Sequence, residues 1–187
     1  MKRSGLALLG CLAALSCRAA DSYTLDPSHT FPSFEVRHHG VSIMRGKFNR
    51  SRGTAVLDPV GDVGRIEAVI DTASVDTGLD ELNRMLQGGL FLDSTRHPEA
   101  RFVSNQVEYR DGRPVLARGE LTLRGVTRPV VLDIHDFTCT THFLSRRPLC
   151  GADAHTVIRR GDFGITFGGS LIGEEVGLAI AVEGYRE

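Results

Sequence analysis

Hydrophobic and polar residues alternate along most of this chain, a pattern that predicts β-strands. The stretch GELTLRGVTRPVVLDI, residues 119–134, shows it most clearly. Leu121 and Leu123 alternate with polar residues before a turn, and Val130, Leu132 and Ile134 alternate with Val131 and Asp133 after it. A period of two places successive side chains on opposite faces of a strand. The segment therefore predicts an antiparallel hairpin with one apolar face.

The same alternation recurs along the chain, with turn residues between the segments. In addition to the second arm of that hairpin, the predicted strands cover residues 22–26, 34–38, 46–58, 65–71, 101–109, 115–123, 152–160 and 174–186. About eight strands at such spacings indicate an antiparallel barrel or sandwich. A closed eight-stranded barrel is wide enough either to be filled by side chains or to hold one small ligand, and the pattern alone does not choose between them.

One segment has a different period. Leu79, Leu82, Leu86 and Leu90 follow one another at spacings of three and four, which predicts an amphipathic helix. The glycine pair at 88–89 is expected to end it. The predicted fold class is therefore all-β with one short amphipathic helix.

Composition and charge narrow the function further. The chain has 187 residues, 41% of them hydrophobic, which indicates one domain with a substantial core. Aromatic residues make up only 6% and tryptophan is absent, which argues against binding by stacking on bases or sugars. A formal net charge of -1 is too balanced for a protein that neutralises phosphates, so no nucleic-acid partner is expected.

The first twenty residues have the pattern of a secretory signal peptide. Lys2 and Arg3 precede an apolar run over residues 6–15, and small residues follow it. The run is about half of the ~20 apolar residues that span a bilayer, so a retained transmembrane helix is not expected. Residues 1–20 are therefore predicted to be removed on export, the alternative being an N-terminal core helix.

Cleavage after Ala19 or Ala20 would leave residues 21–187 as one domain in the periplasm or outside the cell. That domain has 19 basic and 23 acidic residues, a net charge of -4, without a polybasic membrane patch. A lipid anchor on Cys17 is the alternative to release.

Two cysteines, Cys139 and Cys150, lie within this domain, eleven positions apart across a predicted loop. A single cysteine pair in an exported chain indicates a disulfide, which would stabilise the fold by roughly 2–3 kcal/mol. The other interpretation is a metal or redox pair that includes His142, but the spacing is not CxxC.

No catalytic or metal-binding motif is recognisable. The seven histidines form no HxH or HExxH spacing, and His38 and His39, adjacent on a predicted strand, should point to opposite faces. The chain has no GxSxG nucleophile motif. The sequence therefore predicts neither a metal site nor an enzyme.

Six blocks in order resemble the YceI-like family, exported bacterial proteins whose lipocalin-like barrel binds polyisoprenoid or other long-chain lipids. The blocks are YTLDPSHTFPSFEVRHHG (23–40), RGKFNRSRGTAVLD (45–58), VIDTASVDTG (69–78), FLDSTRHPEARFVS (91–104), GELTLRGVTRPVVLDI (119–134) and RRGDFGI (159–165). The resemblance covers nearly all of the mature chain. It implies an eight-stranded lipocalin-like barrel that sequesters or transports an isoprenoid or related lipid without catalysis, and no cofactor beyond that ligand.

Apolar strand faces usually form a core, but the resemblance implies that some of these side chains line a lipid tunnel. The candidate ligand-binding residues are Phe34, Val36, His38, Ile43, Phe48, Ile66, Ile70, Leu86, Phe91, Phe102, Leu121, Leu123, Val130, Leu132, Phe163, Leu178 and Ile180. The predicted helix would cover the tunnel or its mouth. By their positions in the matching blocks, Asp26, His29, His38 or Arg128 would orient a polar head group.

The sequence also departs from the family pattern. Where the family commonly has R-D-x-H-L in the helix, this chain reads Leu-Asn-Arg-Met-Leu over residues 82–86, so a polar contact from the helix is in doubt. Two other functions stay open: a structural or stress-related module with a filled barrel, and a hydrolase or isomerase of the bound lipid. Peripheral membrane contact and a homodimer also stay open.

Overall fold

A computed structural model describes residues 20–187, which form eleven strands and one α-helix. The strands are β1 (Asp21–Leu25), β2 (Phe31–His38), β3 (Ser42–Phe48), β4 (Ser51–Asp58), β5 (Val63–Asp71), β6 (Val75–Asp76), β7 (Glu99–Arg110), β8 (Arg113–Leu123), β9 (Val126–Thr141), β10 (Pro148–Arg159) and β11 (Ile172–Arg186). The helix α1 spans Asp80–Gln87. Within residues 20–187, no helix has the length and apolarity that crossing a bilayer requires. The predicted signal peptide, apart from Ala20, and the alternative anchor Cys17 lie outside the described residues.

Eight of the strands close into an antiparallel barrel, which confirms the predicted fold. Their hydrogen-bonded order is β1-β4-β5-β7-β8-β9-β10-β11, and β1 returns to β11 through the pairing of Tyr23 with Arg186. The other three strands prolong strands of the barrel past an interruption: β2 continues β1, β3 leads into β4, and β6 continues β5. The barrel therefore has eight strands around its circumference, although eleven segments contribute to it.

The single strand predicted over residues 46–58 is wrong in one respect, because it is divided at Asn49 and Arg50 into β3 and β4. The backbone N–H groups of these two residues donate to the carbonyl oxygen and to the hydroxyl of Ser74, at 3.0 Å each. Ser74 belongs to a 3-10 turn, Thr72–Ser74, that interrupts the neighbouring pair β5 and β6 in the same way. The interruption between β3 and β4 is thus held by hydrogen bonds to the interruption between β5 and β6.

The helix is shorter than the leucine spacing predicted. Leu82 and Leu86 are half-buried, but Leu79 precedes α1 and Leu90 follows it, and these two are 57% and 59% exposed. After α1, the glycine pair leaves the helical conformation, and the chain then buries Phe91 in place of Leu90. The four leucines therefore do not form one buried face.

The structure contains the predicted disulfide between Cys139 and Cys150, whose Cα atoms are 4.0 Å apart. The loop between the cysteines is shorter than predicted, because β9 extends to Thr141 and β10 begins at Pro148. The two cysteines are direct cross-strand partners in this hairpin. The disulfide therefore links two paired strands near their ends, and residues 142–147 alone form the connecting loop.

The expected arrangement of His38 and His39 is also wrong. The strand β2 ends at His38, and His39 has a φ of 52° in the turn that follows. Because the backbone has left the extended conformation, the two rings lie on the same side, with their centroids 4.2 Å apart.

Two groups of buried apolar side chains cover the inner surface of the barrel. The larger is formed by Phe91, Ala100, Phe102, Leu121, Leu123, Val130, Ile158, Phe163 and Ile165. The smaller is formed by Tyr23, Leu57, Val107, Ala117 and Cys150. Their side chains come from strands far apart in sequence, so the core depends on closure of the barrel.

Candidate functional site

The barrel encloses an apolar cavity of about 320 Å³. Its wall is built by the inward-facing residues of the strands. The pattern is most regular on β11, where every second residue, Val176, Leu178 and Ile180, lines the cavity. Their cross-strand partners on β2 include Phe34 and Val36, which line it as well. The period of two thus produces a continuous apolar wall across neighbouring strands.

Fourteen of the seventeen candidate residues line this cavity. They are Phe34, Val36, Phe48, Ile66, Ile70, Leu86, Phe91, Phe102, Leu121, Leu123, Val130, Leu132, Leu178 and Ile180. Their contact with a ligand stays a prediction, but the structure brings them together around one space.

The other three candidates do not line the cavity. Ile43 is 39% exposed because it lies five positions before Phe48 on β3, and residues an odd number apart point to opposite faces of a strand. Phe163 is 2% exposed and packs within the wall, in a 3-10 turn. His38 is half-buried at the end of β2, outside the lining.

Sequence reasoning missed other lining residues, although a signal for some of them was present. Tyr23 and Leu25 alternate on β1, and Ala55 and Leu57 alternate on β4, and all four line the cavity. Arg160 also lines it and carried no periodic signal. It was visible only as part of the block RRGDFGI.

Arg160 is a buried guanidinium whose hydrogen bonds are all made to backbone carbonyls. Nε donates to Gly173 at 2.9 Å, Nη1 donates to Ile165 and Phe167 at 2.8 and 2.7 Å, and Nη2 donates to Gly169 and Ile172 at 3.0 Å each. An arginine has five N–H donors, so every donor has a partner. The side chain therefore holds the segment 165–173 against the barrel and has no free donor for a ligand.

The hydroxyl groups of the wall are likewise used within the protein. Ser51 donates to the carbonyl of Thr30 at 2.8 Å, and the Thr30 hydroxyl donates to the carbonyl of Glu183 at 3.2 Å. The Ser33 hydroxyl donates to the carbonyl of Phe31 at 3.4 Å. The interior consequently presents hydrocarbon and satisfied polar groups, a surface suited to an apolar guest.

At the end of the barrel where α1 lies, Arg124 joins the segment after α1 to the segment after β10. Arg124 donates from Nη1 to the carbonyl of Gly164 and from Nη2 to that of Gly89, at 3.2 Å each. The rings of Phe91 and Phe167 meet edge to face, with centroids 5.5 Å apart. Since Leu86 and Phe91 both line the cavity, α1 and the segment after it cover part of the barrel interior at this end.

The proposed head-group contacts are not brought to the cavity. Asp26, His29 and Arg128 are absent from its lining, and Arg128 is exposed. Asp26 and His29 instead contact each other, with Oδ2 and Nδ1 2.9 Å apart. Burial alone raises the pKa of Asp26, but hydrogen bonds from Ser28 and His29 outweigh burial, and the pKa is lowered.

Relatives and solved structures agree with this architecture. The YceI protein of Shigella flexneri is 32% identical over 100% of both chains. The crystal structure of Burkholderia cenocepacia BcnA matches 85% of this chain and 98% of its own, with a TM-score of 0.72 and 22% identity. A polyisoprenoid-binding domain from Saccharophagus degradans, implicated in plant cell wall breakdown, matches 88% of this chain and 98% of its own, with a TM-score of 0.61 and 17% identity. The YceI-like domain matches residues 23–184. With this match and the closed eight-stranded barrel, the chain belongs to the YceI-like family.

Proposed function

We propose that this protein binds an isoprenoid or another long-chain amphiphilic lipid in the barrel and sequesters or transports it without catalysis. The observation that carries the proposal is the cavity of about 320 Å³. Its only charged lining residue among the described positions is Arg160, whose five donors are all used by carbonyls. A hydrocarbon chain fits such a surface, whereas a polar ligand would find no free partner.

Burial of a hydrocarbon chain would provide the main driving force for this binding. A cavity of about 150 Å³ holds benzene in an engineered protein, and this one has about twice that volume. Each buried methylene contributes about 0.8 kcal/mol, so ten contribute about 8 kcal/mol. That exceeds the lower estimates of the association cost, about 4 kcal/mol. The polar head of the lipid would then remain outside the apolar part of the barrel.

The Saccharophagus domain supports this assignment, because its barrel is similar and it is a polyisoprenoid-binding domain. A filled structural barrel has no comparable support, since the interior leaves a cavity. The disulfide fits the oxidising periplasm or extracellular space that the signal peptide predicts.

Native mass spectrometry of protein purified from the periplasm tests this function. We expect a co-purifying lipid, and we expect Ala154→Phe, which fills space at a buried lining position, to lower its occupancy about tenfold. Ala179→Phe is the matched control, because Ala179 is exposed on β11 and outside the lining. Absence of lipid in repeated preparations, together with no uptake of added isoprenoid, would count against the function.

A further inference from the structure

A second group of polar side chains lies at the junction between β1 and β2, outside the lining of the cavity. Both strands pair with β11, but β1 pairs as far as Gly184 and β2 only from Ala181. Residues 26–30 fill the gap as a turn, and Glu183 of β11 lies opposite it. The Asp26 N–H donates to the Glu183 carbonyl at 2.8 Å, and the Glu183 N–H donates to the Thr30 hydroxyl at 3.3 Å. The turn is thus held to the backbone of Glu183 by the Asp26 N–H and the Thr30 hydroxyl.

Three side chains with metal-ligating atoms converge at this junction. The carboxylates of Asp26 and Glu183 and an imidazole nitrogen of His29 offer ligand atoms that all lie within 4.8 Å of one another. The orientation of the Asp26 carboxylate is fixed by Ser28, whose backbone N–H and hydroxyl both donate to Oδ1. Its other oxygen, Oδ2, faces Nδ1 of His29 at 2.9 Å. A supported ligand of this kind is typical of metal centres.

These separations are compatible with one ion. Two ligands about 2.1 Å from an ion at right angles to each other lie about 3.0 Å apart, close to the Asp26–His29 separation, and two opposite ligands lie about 4.2 Å apart. Since the ligand atom of the half-buried Glu183 lies within 4.8 Å of those of Asp26 and His29, a shift of about 1 Å brings it to such a position. Water would occupy the remaining coordination positions.

We propose that Asp26, His29 and Glu183 bind a divalent transition-metal ion such as Zn²⁺ on the outside of the barrel. Two carboxylates balance the charge of the ion, and the imidazole favours first-row transition metals over Mg²⁺ or Ca²⁺. Asp136 and Asp153 line the same surface cleft as His29 and Glu183 and add negative charge around the site. Bound metal would fasten the β1–β2 turn to β11.

Because an ionised carboxylate only accepts, the Asp26–His29 hydrogen bond places the hydrogen on Nδ1 of His29. An ion bound at Nδ1 would take the place of this hydrogen, and the neutral imidazole would then carry its hydrogen on Nε2.

Calorimetric titration of Zn²⁺ into the protein, after removal of metal by a chelator, tests the site. We expect one binding event that is at least about tenfold weaker in His29→Ala and in Glu183→Gln, and no comparable event with Mg²⁺. His29 is exposed, and the two variants alter no cavity-lining side chain, so lipid content should stay unchanged.

His155→Ala is the matched control, since the exposed His155 ring lies 5.6 Å from that of His135 and outside the cluster. We expect this variant to bind Zn²⁺ as the unchanged protein does, and we expect Zn²⁺ to raise the melting temperature of both but not of His29→Ala. Unchanged affinity in His29→Ala, or loss of affinity in His155→Ala, would overturn the proposed site whether or not the barrel binds lipid.

Discussion

At the scale of single residues, Arg160 shows how a charge can line an apolar cavity. Its exposed fraction is only 5%, and the nearest carboxylate, that of Glu174, lies 3.9 Å from Nε. The guanidinium is therefore stabilised mainly by five backbone carbonyls, which gain hydrogen bonds that their own segment does not supply. One side chain thus provides hydrogen-bond donors to carbonyls spread across residues 165–173.

Replacement of Arg160 should therefore be severely destabilising. We expect Arg160→Leu to lower the free energy of unfolding by about 3–5 kcal/mol, because the five carbonyls lose their donors inside the protein. The neighbouring Arg159→Leu should lower it by about 1 kcal/mol or less, since Arg159 is exposed and its contact with Glu174 is 3.9 Å long. Urea unfolding of both variants measures the difference, and equal losses would contradict this role for Arg160.

At the scale of elements, the β9–β10 hairpin combines paired strands with a covalent link. The disulfide joins direct partners of the ladder, and only residues 142–147 lie beyond the strands. The loop carries two exposed apolar side chains, Phe143 and Leu144, so its own packing contributes little to its order. The covalent link is therefore a principal constraint on this end of the hairpin.

Loss of the disulfide should weaken the fold without abolishing it. We expect the double variant Cys139→Ala, Cys150→Ala to lose about 2–3 kcal/mol of unfolding free energy, the value for a closed loop of this length. A reducing agent should produce the same loss in the unchanged protein and none in the double variant. Stability that is indifferent to reduction would refute this estimate.

At the scale of the whole molecule, the cavity exists because eight strands close a ring whose inner side chains do not fill it. The wall combines large residues such as Phe34 and Phe102 with small ones such as Ala68 and Ala154. The volume left over belongs to no single element. It sets the length of hydrocarbon that the barrel can bury.

A series of lipids with one head group and increasing chain length would measure this limit. While the chain still fits within the barrel, each added methylene should increase affinity about fourfold, the equivalent of about 0.8 kcal/mol. Affinity should then level off, because further carbons remain in water. Competitive fluorescence binding gives these constants, and an affinity independent of chain length would show that the cavity does not hold the tail.

Sequence patterns were informative wherever the cause was local. Alternation in β11 placed Leu178 and Ile180 on one face, and both line the cavity. Alternation could not assign Ile43 and Phe48 to opposite faces until the two were known to share one strand. The leucine spacing predicted a helix and overestimated its length, because burial of Phe91 depends on contacts with the distant Phe167. Local periodicity does not contain such contacts.

By itself, the sequence determined the alternating strands, their turns, the cysteine pair and the likeness to the YceI-like family, because each depends on residues close together along the chain or on matching blocks. Only the tertiary structure decided that the inner faces leave a cavity and that Arg160 is fully used by carbonyls. It alone placed Glu183 beside Asp26 and His29, more than 150 positions away in the chain. The physical reason is that a void and a cluster both depend on strand register and barrel closure, which relate residues that no short pattern connects.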